Sequence, residues 1–275
     1  MPVVDNHTHL DLTREGDEPF ALAGALAAAA AVNVTRAIQI GCDLDSARWT
    51  VGVVERCPEL LGGVALHPVE ASRIAAAPAD PVRGEAGLAE AFAEITRLAE
   101  HPRVRVIGET GLDHHWIPGD DVAGRAAQER SFRWHIALAK RSMKVLQIHD
   151  RNAHDDVLRV LAEEGAPERT VFHCFSGDAR MARFCADQGW YLSFAGSLTF
   201  KNAENLREAL RVVPLDQVLV ETDAPYLAPA PHRGRPNASY LIPHTVRYLA
   251  EVLGRDVAEV CGILDRTSED LYGPW

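Results

Sequence analysis

The chain lacks several features that would mark other kinds of protein. Its five cysteines, Cys42, Cys57, Cys174, Cys185 and Cys261, are odd in number, widely spaced and without a Cys-x-x-Cys pair. That usage suggests neither a disulfide framework nor a zinc knuckle, and it points to a reducing cytoplasm. Positive charge is scarce: 28 Lys and Arg stand against 39 Asp and Glu, a formal net charge of −11. Broad electrostatic capture of nucleic acid normally uses a basic face, so it is disfavoured. A site that meets phosphate through bound cations is not excluded. The one long apolar run, residues 20–32, is alanine-rich and shorter than the roughly 20 residues a bilayer span needs. It follows Asp17 and Glu18 rather than a basic segment, which makes it a poor signal peptide and predicts a buried helix. No Gly-x-Gly-x-x-Gly or P-loop motif occurs, so no nucleotide cofactor is implied.

What is present is an ordinary globular composition, 47% hydrophobic and 24% charged, in 275 residues. That length suits one large α/β domain spanning 1–275. Short β-rich runs, at 3–7, 36–40, 60–66, 104–109, 144–149, 170–173, 189–194 and 217–222, alternate with helical stretches such as 43–56, 86–101, 124–141, 153–164, 178–187 and 202–212. With no repeat and no low-complexity linker, eight such alternations predict a single (β/α)8 TIM-type barrel. The runner-up is a doubly wound open sheet. In a barrel the active site sits at the carboxyl ends of the strands.

Six chemistry-bearing residues fall at those ends. In Val3-Val4-Asp5-Asn6-His7-Thr8-His9 the period of two puts His7 and His9 on one strand face. An isolated His-x-His says little. Glu109, His149, His173 and Asp223, however, each end a separate apolar run. Four histidines and two carboxylates exceed the three protein ligands typical of one catalytic zinc. They suit two divalent ions about 3.5 to 4 Å apart, bridged by a carboxylate and a water. Such chemistry fits hydrolysis of a phosphodiester, an amide or a lactone.

The stretches Asp5-Asn6-His7-Thr8-His9-Leu10-Asp11, Gly108-Glu109-Thr110-Gly111-Leu112-Asp113, Gln147-Ile148-His149-Asp150-Arg151, Phe172-His173-Cys174-Phe175-Ser176-Gly177 and Glu221-Thr222-Asp223-Ala224-Pro225-Tyr226-Leu227 resemble the TatD family of metal-dependent deoxyribonucleases, within the amidohydrolase-like superfamily. The match runs in order from residue 3 to about residue 240. The resemblance implies a distorted (β/α)8 barrel and a divalent-metal-dependent hydrolase acting on DNA ends. It further implies that His7, His9 and Asp223 hold one metal, that His149 and His173 hold the other, and that Glu109 bridges. Asp223 could accept a proton from the attacking water. The family is described as magnesium-dependent, whereas histidine-rich sites favour zinc or manganese; the metal stays among these three. The expected partner is DNA or another phosphodiester, with no membrane and no protein partner indicated, and a monomer is compatible with the acidic surface.

Other residues carry weaker signals. His67, in Leu66-His67-Pro68, is a candidate phosphate contact, as are Arg151 and Arg233. The alternatives are a turn histidine, a salt bridge from Arg151 to Asp155 or Asp156, and a solvated loop charge. Asp113, His114 and His115 are placed in a loop roofing the site, with Asp113 holding the loop or a ligand. His114 and His115 depart from the aromatic residues of the family. Ala238 and Ser239 stand where it carries Glu and Pro after an Arg-Gly-x-x-Asn element. The Ser176-Gly177 turn is read as capping the following helix. His101, His135, His154, His232 and His244 are read as surface or structural, and Cys174 and the face around Trp134 and Leu138 as packing. An amide or lactone hydrolase is the competing activity. Relatives of that kind often place a carboxylated lysine where this chain has Glu109.

Overall fold

Residues 1–14, 16, 18, 21–76 and 81–275 are described by a computed structural model. Eight parallel strands lie in one sheet in chain order: β1 (Val4–Thr8), β2 (Arg36–Gly41), β3 (Leu60–Val64), β4 (Val104–Asp113), β5 (Val145–Arg151), β6 (Thr170–Phe172), β7 (Tyr191–Phe194) and β8 (Val218–Val220). Between and after them run α1 (Leu22–Ala30), α2 (Leu44–Val54), α3 (Pro68–Ala76), α4 (Pro81–Ala99), α5 (Val122–Ser142), α6 (His154–Glu164), α7 (Ala179–Asp187), α8 (Glu204–Val212), α9 (Ile242–Leu253) and α10 (Val257–Tyr272). This is the (β/α)8 barrel class, not an open doubly wound sheet. The strands are short Val, Ile and Leu runs buried at nearly every position, as parallel strands covered on both faces must be. Asp43, Asp121, Asp178 and Asp256 start α2, α5, α7 and α10 by accepting from backbone N–H groups in the first turn. The cap on α7 is therefore the Asp178 carboxylate, not the Ser176-Gly177 turn.

The chain packs into two compact units. The first comprises Met1–Gln39, Pro58–Leu61 and His173–Trp275. Within it β1 pairs with β2 (Val4 with Arg36, Asp5 with Ala37), and β7 pairs with β8. A bridge from Thr8 to Ala224 joins β1 to the segment that follows β8. Helix α10 packs on β1 and β8, and its Ser268 hydroxyl donates to Asn6 Oδ1 (3.0 Å). The second unit comprises Ile40–Cys57 and Gly62–Phe172. Its β3, β4, β5 and β6 pair in sequence, and α5 packs on β4 and α3.

Three differences from expectation have physical causes. Strand β4 does not stop at Glu109 but continues to Asp113, paired with β5 as far as Arg151. Asp113 is thus the end of a strand rather than part of a roofing loop. The continuation needs Gly111 at φ +141°, where any Cβ would run into the His149 carbonyl oxygen. The helix expected over 20–32 is observed as α1, and among its residues only Ala29 is buried; Phe20 lies outside the described residues. Apolar composition alone did not bury it: Leu22, Ala25, Leu26 and Ala28 are half-buried, while Ala23, Gly24, Ala27 and Ala30 are exposed. Helices α3, α9 and α10 are additional to those read from the sequence.

His135 confirms its structural reading in an unusual form. It is fully buried in α5; Nδ1 lies 2.7 Å from the Ser131 carbonyl, and Nε2 accepts the Leu66 N–H at 3.2 Å. Burial pushes its pKa down to about 4. Because the unfolded chain binds the proton near pH 6.5 and the folded one only near 4, this residue's contribution is intact above pH 6.5 and lost as pH falls toward 4. His135→Gln is therefore expected to cost about 2 kcal/mol less at pH 5 than at pH 7 in urea unfolding. An equal cost at both pH values would refute the buried neutral imidazole.

Candidate metal centre

In the first unit the donors converge because backbone bonds force them to. The Asp223 N–H donates to the His7 carbonyl (3.0 Å) and the His9 N–H to the Ala224 carbonyl (2.9 Å). Asp223 takes φ +54°, a left-handed conformation that aspartate enters more readily than most side chains. The Nε2 atoms of His7 and His9 come within 3.2 Å, and Asp223 Oδ1 stands 3.9 Å from the first and 3.5 Å from the second. These three donor atoms all lie within 4.8 Å of one another, a spacing that one cation can share.

The clasp beneath them is Asp5. Its buried carboxylate accepts from the Thr222 N–H (2.9 Å), the Thr222 hydroxyl (2.7 Å) and the Ser239 hydroxyl (2.7 Å). Burial raises its pKa to about 6 against the lowering effect of those bonds. His173, immediately after β6, stacks on His7 with ring centroids 4.0 Å apart and planes 12° from parallel. Its Nδ1 lies 3.3 Å from Glu221 Oε1, which also accepts the Cys174 N–H at 2.7 Å. This pairing selects the Nδ1–H tautomer and leaves Nε2 as the ring's lone-pair donor.

The second unit holds the remaining candidate donors. Glu109 is buried; its Oε2 lies 3.0 Å from His149 Nδ1, and its Oε1 accepts from the Cys42 thiol (3.1 Å). The other nitrogen of His149, Nε2, is 3.0 Å from Asp113 Oδ2. Asp113 is anchored in turn: Oδ1 accepts the N–H groups of His115 (2.9 Å) and Trp116 (2.8 Å). Burial would raise its pKa, but the His149 hydrogen bond and these amides outweigh burial and hold it at about 2. His67 stands edge-on to His149, ring centroids 4.5 Å apart. The His67, Asp113 and His149 donors also fall within 4.8 Å of one another. Yet His67 Nδ1 accepts the Val69 N–H (3.2 Å), so in the neutral ring the proton sits on Nε2. That nitrogen is a hydrogen-bond donor rather than a ligand.

Arg151 and Arg233 join neither cluster. Arg151 lies over the Trp116 ring (5.7 Å) and Arg233 over Phe200 (4.3 Å). Asp156 is instead paired with Arg159 (3.2 Å), and His114 stands 3.9 Å from it. Sequence reasoning gave no role to Asp5, Glu221 or Cys42. Asp5 and Glu221 sit inside the quoted motifs, two residues before a ligand in each case, so the period of two places them on the ligand's face. Cys42 directly follows β2, a strand end that the same logic would have flagged.

The sequence model of the TatD related DNase family matches residues 4–273. The chain belongs to the TatD family. An uncharacterized metal-dependent hydrolase TatD of Mycobacterium tuberculosis is 46% identical over 275 residues, covering 98% of each chain. The uncharacterized metal-dependent hydrolase YabD of Bacillus subtilis is 32% identical over 269 residues, again 98% of each. Among solved structures, the TatD homolog YJJV of Escherichia coli aligns with a TM-score of 0.82 at 24% identity, over 98% of this chain and 97% of that one. That likeness speaks for the fold. By the names its curated members carry, the TatD family is one of metal-dependent hydrolases, and the donor set here fits such a group: imidazole lone pairs and carboxylate oxygens converge, and buried carboxylates orient the rings behind them.

If Asp113 and Glu221 orient their histidines for a metal, Asp113→Asn and Glu221→Gln should each weaken metal binding by about 10- to 100-fold in competition with a chromogenic chelator. Circular dichroism should stay that of the parent. Undiminished affinity in both variants would show that the pairings serve packing alone.

Proposed function

We propose that this chain is a two-metal phosphodiesterase, a deoxyribonuclease that trims DNA from an end, working as one domain over residues 1–275. The observation that carries the reading is the pair of oriented donor clusters, His7–His9–Asp223 with His173 stacked on it, and Glu109–His149. In the proposed centre His7, His9 and Asp223 would hold one ion, His149 and His173 would hold the other, and Glu109 would be shared between them. Four imidazoles suit manganese or zinc better than magnesium. When bound, such ions acidify a water and clamp phosphate oxygens.

The chain's own groups supply the rest. Asp223 accepts the proton of the attacking water. The Nε2–H of His67 donates to a phosphate oxygen. Arg151 and Arg233 lie over aromatic rings, and their guanidinium N–H groups meet phosphate. The family description supports DNA as the substrate class. None of the five cysteines forms a disulfide, and no helix among the described residues is long and apolar enough to cross a membrane. Both observations support a cytoplasmic enzyme.

The test strips the protein with chelator and restores magnesium, manganese or zinc separately. Cleavage of end-labelled single-stranded DNA should return with at least one metal. A return of amide or lactone hydrolysis with DNA left intact would overturn the assignment. Glu109→Ala should lower metal content together with rate, and a variant that kept both metals and full activity would refute the bridge.

A further inference from the structure

The least expected surface of the first unit is α1, an apolar helix of sequence Leu-Ala-Gly-Ala-Leu-Ala-Ala-Ala-Ala in which only Ala29 is fully buried and Leu22, Ala25, Leu26 and Ala28 are half-buried. Its Ala25 and Leu26 face a cavity of about 520 Å³, a size typical of small-molecule sites. The cavity begins at His9, a member of the first donor cluster. Leu10, Leu26, Pro236 and Tyr240 make its walls apolar, while Arg14 and Arg235 bring two cations against one acid, Glu18.

The far wall is preorganised. Asn237 Nδ2 donates to the carbonyls of Thr222 (2.9 Å) and Tyr226 (2.7 Å), and Ser239 is fixed on Asp5. Arg14 Nη1 reaches the Gly234 carbonyl at 3.5 Å, tying the N-terminal wall to the same loop. A cavity lined by apolar side chains, the aromatic Tyr240, the cations Arg14 and Arg235 and the candidate donor His9 matches an apolar ring system attached to a phosphate.

Resting on the phosphodiesterase reading above, we infer that this cavity binds the nucleoside adjoining the scissile phosphate. The base lies among Leu10, Leu26 and Tyr240, and Arg14 and Arg235 meet the neighbouring phosphate. Stacking and burial of one base justify about a tenfold gain in affinity. The site thereby selects nucleotides over small phosphodiesters. Ala25 and Leu26, on the half-buried face of α1, are the residues the base covers.

Calorimetric titration separates this inference from the reading beneath it by using three probes. Inorganic phosphate on the metal-loaded protein reports the metal centre, deoxyadenosine on protein with or without metal reports the cavity, and deoxyadenosine monophosphate reports both. The monophosphate should bind about tenfold more tightly than phosphate. Leu26→Trp, which fills the slot, should abolish deoxyadenosine binding and bring the monophosphate to the affinity of phosphate. Tyr240→Ala, which opens the slot instead, should weaken deoxyadenosine about fivefold or more, within the range of losing one stacking partner. Phosphate binding without deoxyadenosine binding, or equal deoxyadenosine affinity in the parent and both variants, overturns the cavity assignment. Deoxyadenosine binding lost in both variants, with no metal-dependent phosphate binding in the parent, supports the cavity and overturns the phosphodiesterase reading instead.

Discussion

A single buried carboxylate, Asp5, sets the geometry on which the first donor cluster depends. Strand β1 carries His7 and His9, but nothing intrinsic to β1 brings a distant aspartate to them. Asp5 does so by accepting three hydrogen bonds, two from Thr222 and one from Ser239. Leaving those donors unpaired in the interior would cost about 1–3 kcal/mol each. With Thr222 fixed, the next residue is Asp223, and its left-handed backbone turns the carboxylate back toward the imidazoles. The same loop, pinned by Ser239 and Asn237, supplies one wall of the adjoining cavity. Buried acids that bind nothing themselves can thus be as decisive for a metal site as its ligands.

The second unit repeats that logic with different residues. Asp113 is held by two backbone amides and passes its orientation to His149, as Glu221 does for His173 in the first unit. In each case the outer carboxylate is itself fixed by backbone N–H groups, so side-chain freedom is removed one step behind the ligand. This order of support suits a protein whose net charge is −11. Its overall field repels a polyanion.

Much of this was legible in the sequence because β-strands have a period of two and barrels gather strand ends. His7, His9, Glu109, His149, His173 and Asp223 could be picked out as strand-end residues from apolar runs alone. What escaped was governed by tertiary contacts with no local signature. The extension of β4 through Asp113 rests on Gly111 passing close to the His149 carbonyl, whereas glycine in a sequence reads as the end of a strand. That α1 is only half-buried is invisible to composition, which prescribed burial. Arg151 looked poised for an ion pair with Asp155 or Asp156, and the structure lays it on Trp116, an aromatic partner 35 positions earlier in the chain. The proton position on His67 depends on which N–H points at Nδ1.

The hydrogen bond from Thr222 to Asp5 spans 217 residues of sequence. During synthesis, His7 and His9 are among the first residues made, yet their carboxylate partner and the clasp that positions it arrive only when more than three quarters of the chain exists. Contacts of such separation are the slowest to close, because the chain entropy between them is surrendered before any bond is gained. The first donor cluster can therefore be completed only after Asp223 has been made. A growing chain carries the histidine pair without the carboxylate and the clasp that complete the donor cluster.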